Sequence, residues 1–440
     1  MKTRLLATLA LFAGAAVSLH AGAETLDQAL ADAYQTNPQL QAARAGQSAT
    51  QKDISAARDR WYPSLGLTGG VGRDRTSGNI TFLPGPPFSD TLDQSHIGVR
   101  LDQPIWQGGT ITAGIHVAED KASAAHATTR AREAAVLLRA VKAYLGVVTA
   151  QAVLQVQTHN VETLRRQLDA ARQSLKHGEG TRTDVAQARS RMEGALTARI
   201  RAQSRLARAR ADYRTVIGHA PGSGLVLPQT TPPLPANLQQ AEQLAGRNYN
   251  VTAARFNAQA AHANVDSVHG QLLPKVGLYA EVVRQNNPQY GFTRVTDRVI
   301  GLSVSVPIWQ GGAVRDQTAA ARERAREAEL QTQSTTNQAR NEAVSAWQDY
   351  LAAKSTVSSI QAQLEAARIA YQGTRAEHQH GLRTLVDVLN ALQEMRNAHV
   401  SLLRARSERI AAAYALLAAT GGLSARSLKL PLAAQGADAP

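Results

Sequence analysis

Reactive side chains are sparse in this 440-residue chain, and the informative ones come in pairs. Thr181-Arg182-Thr183-Asp184 and Thr384-Leu385-Val386-Asp387 both fit the Ser/Thr-x-x-Asp/Glu pattern that opens a helix. There the hydroxyl and the carboxylate satisfy free backbone N–H groups. Each follows a glycine turn, containing Gly178 and Gly180 in the first case and Gly381 in the second. Asp184 and Asp387 are therefore caps, and they either do nothing more or also present charge to a passage. Carboxylates ringed around a narrow lumen favour cations and attract divalent ions. His378 and His380 lack a third ligand and read as surface residues rather than a metal centre.

Other chemistry is excluded. The chain has no cysteine, so it has no disulfide, no thiolate metal site and no lipid-bearing cysteine. Walker A, G-x-S-x-G, H-E-x-x-H and dinucleotide-binding patterns are missing, so no enzyme and no cofactor is expected. The net charge is +14, carried by residues such as Arg199, Arg201, Arg205 and Arg208 interleaved with Ala and Gln. That is a solvated helical face, and without interleaved aromatics it does not point to nucleic acid.

The elements that must hold these pairs are themselves duplicated. Gln103-Pro104-Ile105-Trp106-Gln107-Gly108-Gly109 returns as Val306-Pro307-Ile308-Trp309-Gln310-Gly311-Gly312, 203 positions on (103 to 306), and Gly178, Asp184 and Val185 map by the same offset onto Gly381, Asp387 and Val388. Upstream, Arg44 and Pro63 map onto Arg255 and Pro274 with an offset of 211. The first copy thus has eight extra residues, placed in a Gly/Pro/Ser-rich exposed loop over 76–93.

Residues 105–220 and 308–430 lack proline inside a long Ala, Gln, Arg, Glu and Leu composition. Each reads as a helical hairpin, with arms over 110–176 and 313–379 of roughly 100 Å at 1.5 Å per residue. Apolar spacings of three, four and seven (Val136, Ala140, Val147, Leu154, Val161, Leu164, Leu168) are the coiled-coil signal. Shorter helices over 39–60 and 239–269 stop before Pro63 and Pro274.

Between helices the period changes to two. Leu65, Leu67 and Val71, then Ile97, Val99 and Leu101, alternate with small or polar residues; Val276, Leu278, Ala280 and Val282, then Ile300, Leu302 and Val304, do the same. These are strand pairs of about 9–11 residues per strand, the membrane-crossing length, although a soluble half-buried hairpin alternates too. Trp61, Trp106 and Trp309 stand at the helix–strand junctions in a chain only 4% aromatic, as rim residues of a barrel or as core packing. Residues 1–23 read as a signal peptide, with Lys2 and Arg4, an apolar stretch and an Ala21-Gly22-Ala23 cleavage site. No later apolar run is long enough for a membrane helix. The domain reading is therefore signal 1–23, first repeat 24–220, Pro-rich linker 221–237, second repeat 238–423 and a tail 424–440, expected to be disordered over 433–440. Four strands cannot close a barrel that needs about eight or more, so an α+β membrane protein of this kind must oligomerise.

Together, the duplicated helix–β-hairpin–helical hairpin order, the P-I-W-Q-G-G elements and the glycine turns followed by Asp-Val resemble the TolC family over essentially all of 24–423. Lacking the acylated cysteine, the chain is nearer the TolC branch than the lipoprotein OprM-like branch. The resemblance implies a homotrimer with a 12-stranded barrel in outer-membrane lipid, continuous with a periplasmic helical coiled-coil tunnel. It implies an exit duct for efflux or type I secretion, working with a periplasmic adaptor and an inner-membrane RND/MFS pump or ABC exporter. At the tips it implies a pore constriction at Asp387, with Asn390 at a position where TolC carries a second aspartate. It further implies gate links from Arg383 to Thr183 and Asp184, with His378 in place of a tyrosine and a pH-sensitive His–Asp contact. A periplasmic coiled-coil scaffold without a pore and a stand-alone porin are the rivals. The first leaves the strands unexplained, and the second lacks strands for a one-chain barrel.

Overall fold

Each long helix begins at a pair of left-handed glycines. Gly108 and Gly109 (φ +62° and +78°) turn the chain from strand into helix in the first repeat, and Gly311 and Gly312 (φ +62° and +84°) do so in the second. Only glycine takes these angles without strain, which is the physical content of the Gln-Gly-Gly element. The computed structural model describes residues 24–78, 88–222, 224–289 and 292–431. The signal-peptide reading, the disordered end from 433 and the Pro84–Pro87 loop lie outside the described residues.

The first repeat runs α1 (Leu26–Thr36), α2 (Pro38–Asp59), β1 (Ser64–Gly78), β2 (Phe88–Gln107), α3 (Thr110–Lys176) and α4 (Arg182–Ile217). The second runs α5 (Leu238–Ala245), α6 (Tyr249–His269), β3 (Lys275–Gln289), β4 (Phe292–Ser305), α7 (Ala313–Gln379) and α8 (Leu385–Ala419). At 67 residues, α3 and α7 are each about 100 Å long. One helix is added to the expected set, and three expectations need correction. The helix at 39–60 is preceded by a separate capped helix, α1, hinged at Asn37 and Pro38; the helix at 239–269 is broken at Gly246–Asn248, where Asn248 caps α6. The strands have 14 to 20 residues rather than 9–11, because pairing continues past the alternating apolar band as far as Gly78 opposite Phe88, inside the segment read as loop. Finally, α3 does contain a stretch apolar enough to cross a membrane, but half of that stretch is buried in the protein.

The sheet order is β1-β2-β3-β4, all antiparallel, so the two repeats join through β2 and β3. Register aligns Leu65, Leu101, Ala280 and Ile300 across one face, with Leu67, Val99 and Val282 one step further. These side chains are exposed on the isolated chain, Leu65 and Leu67 at 72% and Ile300 at 76%. The other face carries glycine, serine, Arg100, Asp102, Tyr279 and Glu281. Tyr279 lies flat across Gly301, where a side-chain β-carbon would sit 2.9 Å from the ring.

The core is a collar around the middle of α3. Leu137, Val141 and Tyr144 pack against Leu30 of α1, Tyr213 and Ile217 of α4, Ile410 and Tyr414 of α8, and Leu225 of the linker. The linker is thus docked rather than free. Both ends of the described chain are tied here. Glu133, buried on α3, accepts from the Ala425 backbone N–H (2.7 Å) and from Arg130 (3.1 Å). Glu24 accepts from the Tyr213 hydroxyl and the Gly222 N–H. His219 completes that second tie. Its Nδ1 is 2.9 Å from the Ala220 carbonyl, which can only accept, so Nε2 faces Asp32 (3.2 Å) and Glu24 (3.7 Å). Burial pulls the imidazole pKa down, but the Ala220 carbonyl, Glu24 and Asp32 together hold it above its ordinary 6.5.

A folded-state pKa above the unfolded one adds stability that is complete below the unfolded value and lost as pH rises through the folded value. The Tm difference between wild type and His219→Gln is therefore expected to be greatest below the ordinary imidazole value and to shrink as pH rises above it. Thermal unfolding on either side of that value checks this, and a pH-independent difference contradicts it.

Candidate functional site at the hairpin tips

The two turns are built alike. Gly178 (φ +78°) and Gly381 (φ +76°) reverse the chain in the left-handed region. Gly180 serves a different purpose: its N–H and that of Glu179 both reach the Ser174 carbonyl (3.2 and 2.9 Å), and a β-carbon there would meet Ser174 at 3.1 Å. Each following helix starts in a full capping box. Asp184 accepts from the Thr181 N–H at 3.1 Å and returns its own N–H to the Thr181 hydroxyl at 3.1 Å; Asp387 and Thr384 do the same at 3.0 and 3.2 Å. The Thr384 hydroxyl and N–H hold the half-buried Asp387 carboxyl below the usual carboxylate range, with Arg383 adding to the effect. Asp387 therefore holds its charge further into acid than an ordinary aspartate does.

Behind the tips the two hairpins share one apolar core. Val161 and Leu164 of α3, Ala195 of α4, and Leu389 and Leu392 of α8 are buried together, with Tyr371 of α7 against them. Helical spacing puts Asp387 and Asn390 on the side of α8 away from Leu385, Leu389 and Leu392. The structure supplies a link absent from the sequence reading: Arg191 of α4 donates to the Asn390 side-chain oxygen at 2.7 Å, tying one hairpin to the other. One signal pointed there. Arg191 maps by the offset of 203 onto Glu394, so the duplication reverses charge at this position.

The expected gate links are arranged differently within the chain. Arg383 pairs with Glu377 of its own hairpin (2.9 Å) instead of reaching Thr183 or Asp184, and Asp184 is engaged by Thr181. His378 donates from Nδ1 to the Arg383 carbonyl (2.8 Å) and, among the described residues, makes no hydrogen bond to a carboxylate, so it braces the turn. Both departures have one cause: the turn is so tight that each side chain finds a partner within six residues. Asn390 stands near the tip, but its carboxamide is held by α4.

At the opposite end of the long helices, Trp61 lies between α2 and β1, Trp106 closes β2, and Trp309 lies between β4 and α7. Equivalent residues of the two repeats are unequally covered. Ile105 and Trp106 are 50% and 41% exposed, whereas Ile308 and Trp309 are 94% and 84% exposed. A β-carbon at Gly108 would strike the Gly270 backbone at the end of α6, while one at Gly311 would meet nothing among the described residues. The second repeat covers the first, and the second is left bare.

A family model described as outer membrane efflux protein matches residues 29–219 and 241–422. The chain belongs to the outer membrane efflux protein family. It is 30% identical over 414 residues to the outer membrane efflux protein BepC of Brucella suis biovar 1, covering 93% of this chain and 88% of that one. It is 26% identical over 432 residues to the outer membrane protein TolC of Vibrio cholerae, covering 91% and 92%. Its fold superposes on the crystal structure of the outer membrane protein VceC from Vibrio cholerae with a TM-score of 0.76 at 20% identity, over 90% of this chain and 96% of that one. This efflux protein is thus an outer-membrane channel component, and its bare sheet edges and tip turns are read in that setting.

Removing the Arg191–Asn390 link is expected to loosen the tips. In hydrogen–deuterium exchange, Arg191→Ala raises amide exchange several-fold at the starts of α4 and α8, while Arg208→Ala, at an exposed site on the same helix, leaves it unchanged. Equal protection in both variants contradicts the link.

Proposed function

We propose that three copies of the chain close a 12-stranded barrel in the outer membrane, and that their helical hairpins continue it as a tunnel of about 100 Å through the periplasm. The observation that carries this reading is the pair of unpaired sheet edges, β1 and β4, on a sheet with one apolar face. In lipid an open edge leaves backbone N–H and C=O groups unsatisfied, so β4 of one copy must meet β1 of the next. The bare Ile308, Trp309 and Gly311 support the same head-to-tail closure, since their first-repeat equivalents are covered by the chain's own second repeat. Two copies give only eight strands, and the resemblance to TolC favours three. Trp61, Trp106 and Trp309 then ring the periplasmic rim of the barrel.

The duct is passive and exports what an inner-membrane pump or ABC exporter delivers through a periplasmic adaptor docked at the hairpin tips. Asp387, once per copy, supplies a ring of three carboxylates at the entrance, and Asn390 a neutral position behind it. With one charged ring, cation selectivity and divalent block are weaker than a two-ring entrance gives. The rival scaffold reading leaves the apolar sheet face without purpose.

Reconstituted protein is expected to migrate as a heat-dissociable trimer and to conduct in planar bilayers. Divalent cations block the wild-type channel from the periplasmic side, and Asp387→Ala reduces that block by about tenfold or more. Equal block of the two proteins removes Asp387 from the entrance, and failure to conduct removes the duct.

A further inference from the structure

The lipid-side face of the sheet is not apolar throughout. Even-numbered residues of β3 and β4 share it with Leu278, Val282, Ile300 and Leu302, and so Arg284, Arg294 and Arg298 also lie there, at the end of the sheet away from the helices. Register places them in a zigzag. Arg298 is opposite Val282, two residues from Arg284, and Arg294 is opposite Asn286, two residues beyond Arg284. Each step is a diagonal neighbour at about 7–8 Å. All three are exposed. Among the described residues none of them is ion-paired; Arg294 donates only to the Asn286 carboxamide (3.3 Å). The acids of these two strands, Glu281 and Asp297, have odd numbers and face the other side, while Asp93 on β2 is taken by Arg73.

Three guanidinium groups with no ion pair among the described residues, on a lipid-facing surface just past its apolar band, attract anions. Arginine on such a face is costly at the bilayer centre and tolerated near the interface, where it meets headgroups. Guanidinium binds phosphate in two-pronged geometry, which glutamine cannot reproduce. Resting on the barrel reading above, we infer that Arg284, Arg294 and Arg298 form a docking patch for a phosphate-bearing lipid headgroup of the outer leaflet. The patch recurs once per copy around the barrel. The apolar residues below it, Val282 and Ile300, line the path of the acyl chains.

The test uses the full-length assembled protein in neutral detergent and reads the midpoint of thermal trimer dissociation. The probes are a bis-phosphorylated glucosamine lipid (lipid A), its dephosphorylated form and inorganic phosphate. Lipid A is expected to raise the wild-type midpoint by several degrees, and the other two to leave it unchanged. The combined variant Arg284→Gln, Arg294→Gln, Arg298→Gln loses the shift, while Arg100→Gln, on the opposite face, keeps it. An equal shift in the combined variant, or with the dephosphorylated lipid, overturns the patch; an equal shift with inorganic phosphate overturns the lipid headgroup as its occupant. Should the combined variant not assemble, Arg284→Gln decides, a reduced shift supporting the patch and an unchanged one overturning it. Wild-type conductance, measured separately, tells failure of the patch from failure of the barrel.

Discussion

Backbone hydrogen bonding in a medium without water is the constraint on which the rest of this structure depends. Four antiparallel strands satisfy their inner N–H and C=O groups among themselves, but the outer edges of β1 and β4 remain open. In water such edges are a nuisance, whereas in hydrocarbon each open group costs several kcal/mol. The chain in isolation is therefore an unfinished object. Its exposed leucines, isoleucines and valines on one sheet face, and its bare Trp309, are surfaces waiting for lipid and for another copy.

Duplication makes that completion geometrically simple. Because the second repeat covers the first at Ile105, Trp106 and Gly108, the next copy's first repeat can cover the second at Ile308, Trp309 and Gly311 by nearly the same contacts. The long helices show the same imbalance. The middle of α3 is buried on several sides, by α1, α4, α8 and the linker, whereas α7 buries mainly small residues such as Ala321, Ala325, Ala339 and Ala343. Alanine at these positions lets a neighbouring helix approach closely.

The collar meets a different demand, holding the segments before α1 and after α8 against the long helices in a protein without disulfides. Glu133 is buried and Glu24 is partly covered, and each carboxyl accepts hydrogen bonds from segments distant in sequence. Neither was visible in the sequence: Glu133 stands alone on an Ala-rich helix with no pattern around it, and Glu24 lies ahead of the first helix. The same holds for Arg191, whose partner Asn390 lies 199 positions away. The helix α1 carries its own start signal, the Thr25–Gln28 capping box, on a short element of 11 residues.

By itself the sequence determined whatever depends on local periodicity and on backbone freedom. The offset of 203 established two copies, proline-free alanine-rich stretches established the long arms, glycine pairs set where strand turns into helix, and Thr-x-x-Asp set the helix starts at the tips. These are short-range effects, written within a few residues of where they act. Tertiary structure alone decided which side chains meet. Strand register put Arg284, Arg294 and Arg298 on one face, the tight turn gave Arg383 to Glu377 rather than Asp184, and hairpin packing brought Arg191 to Asn390. Such pairings depend on distances set by the whole fold, and no local pattern encodes them.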